Sequence, residues 1–567
     1  MLRASDIRDL FERARSEMYV TPSHVVINVG NRRPGIRVKE GVFEIDIPRS
    51  LLDDPEGGPI LLWYFRHDLA HLHYLPYNLR TVQMLARAAY EEVRSWAHAH
   101  NAVRLLADLQ IDLFYLPLKF RQLPFHLTYE FSSKPKGVDL LRYAACKHMY
   151  RESIPDHRMD RDIAFYGSLL AEIVLSPRSY IAKVKAVATI LKRLQAMGKL
   201  ERLPKTAGEG IPLSEDLEHD LLAEAREVMR GLGRDEAREL FRHWVKERVD
   251  FDKIKHDAEK VLEKITTQQT GKVDQRLTEE QISREPLRGE GEEPELPSKL
   301  SKPAAKVANL EELLWKAMWY RARAEEFLIT YGSRRRGGTW AIYAYSDMWS
   351  VEDDIEDLDL EASFEEGPLI PEETTLKDVN VPSPSGEVLI EEQAPSVLVV
   401  LDTSRSMQGS IDDATVAAFA AYLSARRQGG RVSVLNFSTR YLVAGWDEPE
   451  IVKDLVLSLP QGELTILPLA AINAQLAELE AGESALVIIV TDCGWQNLRE
   501  ALGFLERIAA AGHRVVVLHI EGWKYPKSVE AVSQARGVTL YRVREPSMLK
   551  HLAVAEAERG VAIRSRT

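Results

Sequence analysis

From Ser396 onward the chain settles into a rhythm that few architectures accommodate. Five short β-rich runs appear: SVLVVL (396–401), RVSVLNF (431–437), SALVIIVT (484–491), RVVVLHI (514–520) and VTLYRV (538–543). Helical segments such as 411–427 and 497–511 fill the gaps between them. Runs without polar alternation suit strands covered on both faces. Their alternation with helices predicts an open, doubly wound, Rossmann-like α/β sheet with parallel strands. Such sheets collect ligands at the carboxyl ends of their strands. The first run leads directly into LVVLDTSRSMQGS, which carries Asp402, Ser404 and Ser406 in D-x-S-x-S spacing on a tight loop at that edge. One carboxylate and two hydroxyls offer three hard oxygens, a donor set suited to Mg2+. Two later loops reach the same edge. Thr465, in QGELTILP, precedes a helix, and Asp492, in IVTDCGW, follows a buried strand.

These residues resemble the metal-ion-dependent adhesion site (MIDAS) of the von Willebrand factor A (VWA) family. Asp402, Ser404, Ser406, Thr465 and Asp492 stand at the family's ligand positions. The resemblance covers the last third of the chain and rests on three separated loops that agree with the strand order. It departs at Cys493, where the family often has glycine. It implies a Mg2+ ion lacking one ligand, which an Asp or Glu of a protein partner supplies. It also implies a MoxR-type AAA+ ATPase as working partner. The chain itself has no G-x-x-x-x-G-K-[ST] loop, so ATP-driven work would come from another protein. No histidine lies beside a nucleophile in these loops, and no catalytic machinery is expected there. A chelatase-like role rests only on the general company such domains keep.

A second constellation lies in WYFRHDLAHLHYLPYNL. His67 and His71 are four apart on a helix that should stop at Pro76, and so share one face. That is the geometry of paired zinc ligands in H-E-x-x-H, with Asp68 where the general-base Glu would stand. The next helical stretch, NAVRLLADLQIDLFYL, carries Asp108 and Asp112, again four apart. An unpaired carboxylate on so apolar a helix costs at least ~3 kcal/mol, so a metal, a histidine or an arginine must compensate. Asp108 completes a candidate Zn2+ set with His67 and His71. Strands, a histidine helix and an acidic helix resemble the zincin architecture. Together with the C-terminal domain they resemble the VWA-like metallopeptidase proteins of bacteria and archaea. Three readings stay open for this site: a metal site without activity, a zinc peptidase using Asp68, and a buried His/Asp network without metal. Asp is one methylene shorter than Glu, which puts the general-base role in doubt.

A chain of 567 residues is too long for one core. The reading divides it into a mostly helical α+β zincin-like domain (1–264), a flexible linker (265–306), a helix and acidic connector (307–395) and the VWA domain (396–567). The linker assignment follows from the near-absence of large apolar residues there. Helices are expected at 81–116, 138–152, 160–174, 178–197, 215–230, 234–264 and 309–329, and strands at 24–29 and 42–47. The aromatic residues between Trp315 and Trp349 are expected to pack between domains. A net charge of -12 argues against a general nucleic-acid or anionic-membrane binder. Two cysteines in unrelated positions suit a reducing cytosol. The amphipathic N-terminus and the absence of an 18-residue apolar stretch complete the expectation of a cytoplasmic protein without a membrane span.

Overall fold

The computed structural model describes residues 2–249 except 22–23, 31–32, 40, 201–202, 204–205, 209, 218–220 and 247. It also describes 310–336, 344–350, 358–359, 363 and 375–380, and then 396–543 except 428, 463, 480–482 and 521–524, with 548 and 554. The expected linker at 265–306 and most of the acidic run between Glu352 and Glu373 lie outside these residues.

The protein is multidomain, with a mainly helical N-terminal part and a six-stranded mixed sheet in its C-terminal part. Helix α1 (Ala4–Glu17) packs its Ile7, Phe11 and Ala14 face on α3 (Gly57–His71). Beside them lies a small sheet of order β1-β3-β2, built from β1 (Val25–Gly30), β2 (Gly35–Lys39) and β3 (Val42–Pro48). Strand β1 runs parallel to β3, while β2 is antiparallel to it and forms an edge. The run GNRRPG, expected to be only a turn, leads into β2, which starts at its last glycine and spans five residues. After the short α2 (Arg49–Leu52), α3 is buried on nearly every side, its Arg66, His67, Asp68 and His71 included.

The single helix expected over 81–116 is instead α4 (Leu79–Val93) and α5 (Trp96–Gln110). Arg94 adopts a left-handed conformation (φ 52°) that ends α4, and the chain turns at Ser95. A π-helical turn, Ile111–Tyr115, follows α5 before α6 (Leu116–Phe120). Then come α7 (His126–Glu130), α8 (Val138–Tyr150), α9 (Arg161–Leu175), α10 (Tyr180–Ala196), α11 (Leu221–Met229) and α12 (Arg234–Leu240). Helix α12 gives way to a π turn at Phe241–Val245, well short of the expected end at 264. The rest of that predicted helix, from 250, is outside the described residues.

The C-terminal sheet has the order β12-β11-β10-β7-β8-β9. Its strands are β7 (Ser396–Asp402), β8 (Val432–Phe437), β9 (Tyr441–Ala444), β10 (Ala485–Thr491), β11 (Arg514–Ile520) and β12 (Val538–Val543). Five are parallel; β9 is antiparallel to β8 and corrects the all-parallel expectation. Only residues 438–440 separate β8 from β9, enough for a hairpin but not for a crossover. Every residue of β7, β8 and β10 is buried.

Helix α13 (Leu310–Arg336) joins the two parts. It packs on α11 and α12 on one side and on α14 (Ile411–Arg427) and α15 (Glu450–Ser458) on the other. Trp315, Trp319 and Tyr320 are buried in this seam, and the Trp319 indole donates to the Leu232 carbonyl at 2.9 Å. The connector beyond it contains an unforeseen small antiparallel sheet of order β4-β6-β5, built from β4 (Ala344–Met348), β5 (Leu358–Asp359) and β6 (Leu376–Asn380). Among the described residues no helix is long and apolar enough to cross a membrane.

Arg321 is the polar anchor of the seam, donating to Asp454 at 2.9 Å and Glu450 at 2.7 Å. Burial pushes the Asp454 carboxyl up to about 6 even with Arg321 beside it. A carboxyl raised in the folded state destabilises the fold as pH rises through that value. Arg321→Met is therefore expected to cost ~3–5 kcal/mol above pH 7, by leaving a buried charge unpaired. The cost should shrink below pH 6, where Asp454 takes a proton, and urea denaturation at pH 5.5 and 8 checks both.

Candidate metal centres

The N-terminal candidate site begins with the spacing of His67 and His71 on α3, which brings their ring centroids to 5.0 Å. Each imidazole is tied through Nδ1. His71 Nδ1 meets the Leu75 carbonyl at 2.7 Å, and His67 Nδ1 meets Asp112 Oδ1 at 2.7 Å. Both partners are acceptors, so both Nδ1 atoms donate and both Nε2 atoms are left for another task. The two Nε2 atoms converge on Asp108 Oδ1, at 4.0 Å from His67 and 3.6 Å from His71. Ligands ~2.0–2.1 Å from a tetrahedral zinc ion stand roughly 3.3 Å from one another. The His67, His71 and Asp108 spacing is close to that value, and all three residues are buried.

The structure separates the two acids that sequence spacing had paired. Asp108 faces the Nε2 atoms, whereas Asp112, in the π turn, supports His67 from the other side. Arg142 of α8 grips Asp112 Oδ2 through Nε at 3.0 Å and Nη2 at 2.5 Å, and reaches Glu130 at 2.7 Å. Burial alone would raise Asp112, but Arg142 and His67 hold it well below the usual carboxylate range. Burial works against charge on His67, yet Asp112 lifts it to about 9. Burial and the neighbouring His67 hold His71 well below its ordinary value. His126 is a residue the sequence reading missed. It is fully buried, with Nε2 3.3 Å from Asp112 Oδ1, and forms a second group with His67 and Asp112. In that group the 2.7 Å contact between His67 and Asp112 is a hydrogen-bond distance, too short for two ligands of one ion. The Asp108 side is the better metal locus.

Asp68 lines the same cavity, about 860 Å3, with His67, His71, Asp108 and Arg142. Its Oδ2 accepts the Ile36 N–H of β2 at 2.7 Å. Burial raises this carboxyl to about 7, against the opposing pull of His67 and of that N–H. His73 points away and meets the Tyr115 hydroxyl at 2.7 Å.

The C-terminal candidate site is assembled at the carboxyl edge of β7 and β10. Asp402 Oδ1 accepts the Ser404 N–H at 3.0 Å, and Oδ2 accepts the Thr491 hydroxyl at 2.6 Å. The Ser404 and Ser406 hydroxyls lie 3.1 Å apart. The loop carrying Thr465 is stitched to both neighbours: Gly462 N–H donates to the Thr403 carbonyl at 3.0 Å, and Gln496 N–H to the Thr465 carbonyl at 2.9 Å. Asn497 clamps both the N–H and the carbonyl of Leu467, at 3.0 and 2.9 Å. Asp492 Oδ1 accepts the Gly494 N–H at 3.0 Å, while its buried Oδ2 has no hydrogen-bond partner. Burial, and then the charge of Asp492, push Asp402 up to about 7. Among the described residues neither acid forms an ion pair. Cys493 has φ 61°, a left-handed conformation that glycine adopts more readily than a residue with a side chain. Thr491 and Asn497 were missed from sequence, although Thr491 stands directly beside Asp492.

No family model matches the chain, and no curated protein matches it. Among solved structures it is similar to the pilus adhesin SpaC from Lactobacillus rhamnosus GG in its open conformation, at 13% identity and a TM-score of 0.27. That match covers 30% of this chain and 30% of the adhesin. The likeness is too slight to carry an argument.

If Asp112 orients His67 from behind, Asp112→Asn should weaken zinc binding by roughly 10–100-fold. His71→Ala should abolish it. Competition with a chromophoric chelator measures both.

Proposed function

We propose that the chain is a cytoplasmic, metal-dependent adaptor whose C-terminal part is a VWA-type domain. Its Mg2+ site would be formed by Asp402, Ser404, Ser406, Thr465 and Asp492. One observation supports this most. Two buried carboxylates face the same strand edge, and among the described residues no cationic side chain is paired to either and one of them keeps an oxygen without a partner. Burying like charges together is costly, and a hard divalent cation removes that cost. The hydroxyls of Ser404 and Ser406, side by side at 3.1 Å, supply further hard oxygens. A bound Mg2+ would offer an exposed Asp or Glu of a protein partner a strong electrostatic contact. The earlier resemblance suggests a MoxR-type AAA+ ATPase for that partner, with the adaptor selecting what the ATPase acts on.

A second reading has its own support. The convergence of His67 and His71 Nε2 on Asp108, at the wall of a large cleft, fits a zincin-like Zn2+ site. The tether of Asp68 to Ile36 weighs against a free general base there and favours a metal site without peptidase activity.

Partner capture should vanish in EDTA, return with Mg2+, and be abolished by Asp402→Ala without loss of the thermal transition. Pull-down from native cells with the wild-type and variant chains tests this. Capture that is indifferent to EDTA removes the adaptor mechanism. Zinc analysis with a peptide-cleavage assay on wild type and Asp68→Asn decides the second reading.

A further inference from the structure

Asp412 opens α14, two residues past Ser410 and the Asp402 loop. Both of its carboxylate oxygens are held from outside the C-terminal sheet. The Tyr320 hydroxyl of α13 donates to Oδ1 at 2.5 Å, and Arg234 Nη1 of α12 donates to Oδ2 at 2.8 Å. Tyr320 is buried, and its ring lies 6.2 Å from that of Phe419 on α14. Strand β7, the loop and α14 are sequential, so whatever fixes α14 bears on the loop.

The loop has little slack. Met407 N–H donates to the Ser404 carbonyl at 3.1 Å, Ser410 N–H to the Met407 carbonyl at 2.9 Å, and Ala414 N–H to the Ser410 carbonyl at 3.0 Å. These three bonds make the stretch from Ser404 to α14 one succession of closed turns. Met407 anchors it from below, buried in the same apolar cluster as Phe419, Trp319 and Tyr320. A shift of the first turn of α14 is therefore transmitted to the hydroxyls of Ser404 and Ser406. Beside the apolar packing of α13 on α14, the N-terminal part and α13 hold that first turn through one shared carboxylate.

We infer that the Tyr320–Asp412–Arg234 clasp sets the cation affinity of the Asp402 loop, so that the N-terminal part regulates the C-terminal site through α14. The inference rests on the reading of that loop as a Mg2+ site. Its physical content is preorganisation: the clasp keeps the loop in the arrangement that binds, and releasing it lowers the population of that arrangement. Linkage makes the effect reciprocal, because a cation that prefers the clasped arrangement must also strengthen the clasp.

The test is Mg2+ titration by calorimetry on the full chain, with hydrogen exchange followed at 234–240 and 313–328. Tyr320→Phe keeps the ring and removes one donor. Arg234→Ala removes the other from a more exposed position, and stands in if the first variant misfolds. Each is expected to weaken Mg2+ binding about tenfold, and Mg2+ should slow exchange at both segments in the wild type. Unchanged affinity in both variants overturns the inference. A different result, wild-type Mg2+ binding that survives Asp402→Ala, overturns the reading of the site itself.

Discussion

A carboxylate taken out of water has to be answered by something, and this chain answers its buried acids in two ways. Asp112 is met by Arg142 and His67, so its charge is cancelled within the protein and held there. Asp402 and Asp492 receive hydroxyl and backbone donors but, among the described residues, no countercharge. Hydrogen bonds lower the cost of burying each acid without removing their repulsion. The contrast separates an acid neutralised within the protein from acids whose mutual repulsion the described residues leave standing. The same distinction divides the acids of the N-terminal site. Asp112 is spent on holding an imidazole, while Asp108 faces two Nε2 atoms.

Much of the C-terminal sheet could be read directly from the chain. Buried strands carry their signal locally, because a run such as ALVIIVT is apolar whatever surrounds it. The D-x-S-x-S loop and its two companions were legible for a related reason, since each follows or precedes a recognisable element. What escaped notice was nonlocal. Strand β9 is short and half-exposed, and its direction is settled by the three-residue turn before it. His126 and Arg142 reach Asp112 from separate helices, and nothing in the local pattern of either marks that destination. The division of labour between Asp108 and Asp112 was hidden for another reason. Equal spacing on a helix says that two acids are neighbours, not which nitrogen of a facing imidazole each one meets.

Helix α13 changes how the parts relate. Its apolar and aromatic face continues the core of the N-terminal helices into α14, so a single cluster of buried side chains runs from Leu75 to Val554. The polar contacts along it, Arg321 with Asp454 and Trp319 with Leu232, make the seam directional as well as apolar. An arginine fork and an indole donor tolerate little sliding, whereas apolar packing alone would permit several registers.

The tether between Asp68 and β2 carries a consequence for the outer rim of the N-terminal sheet. Strand β2 pairs with β3 on one side only, and an open rim of this kind invites other chains to dock along it. Here the Ile36 amide is engaged by a carboxylate from α3. A visiting strand would have to evict a buried acid before it could zip up along that margin. The fold thus guards this margin, one of the sheet's two edges, against indiscriminate self-association.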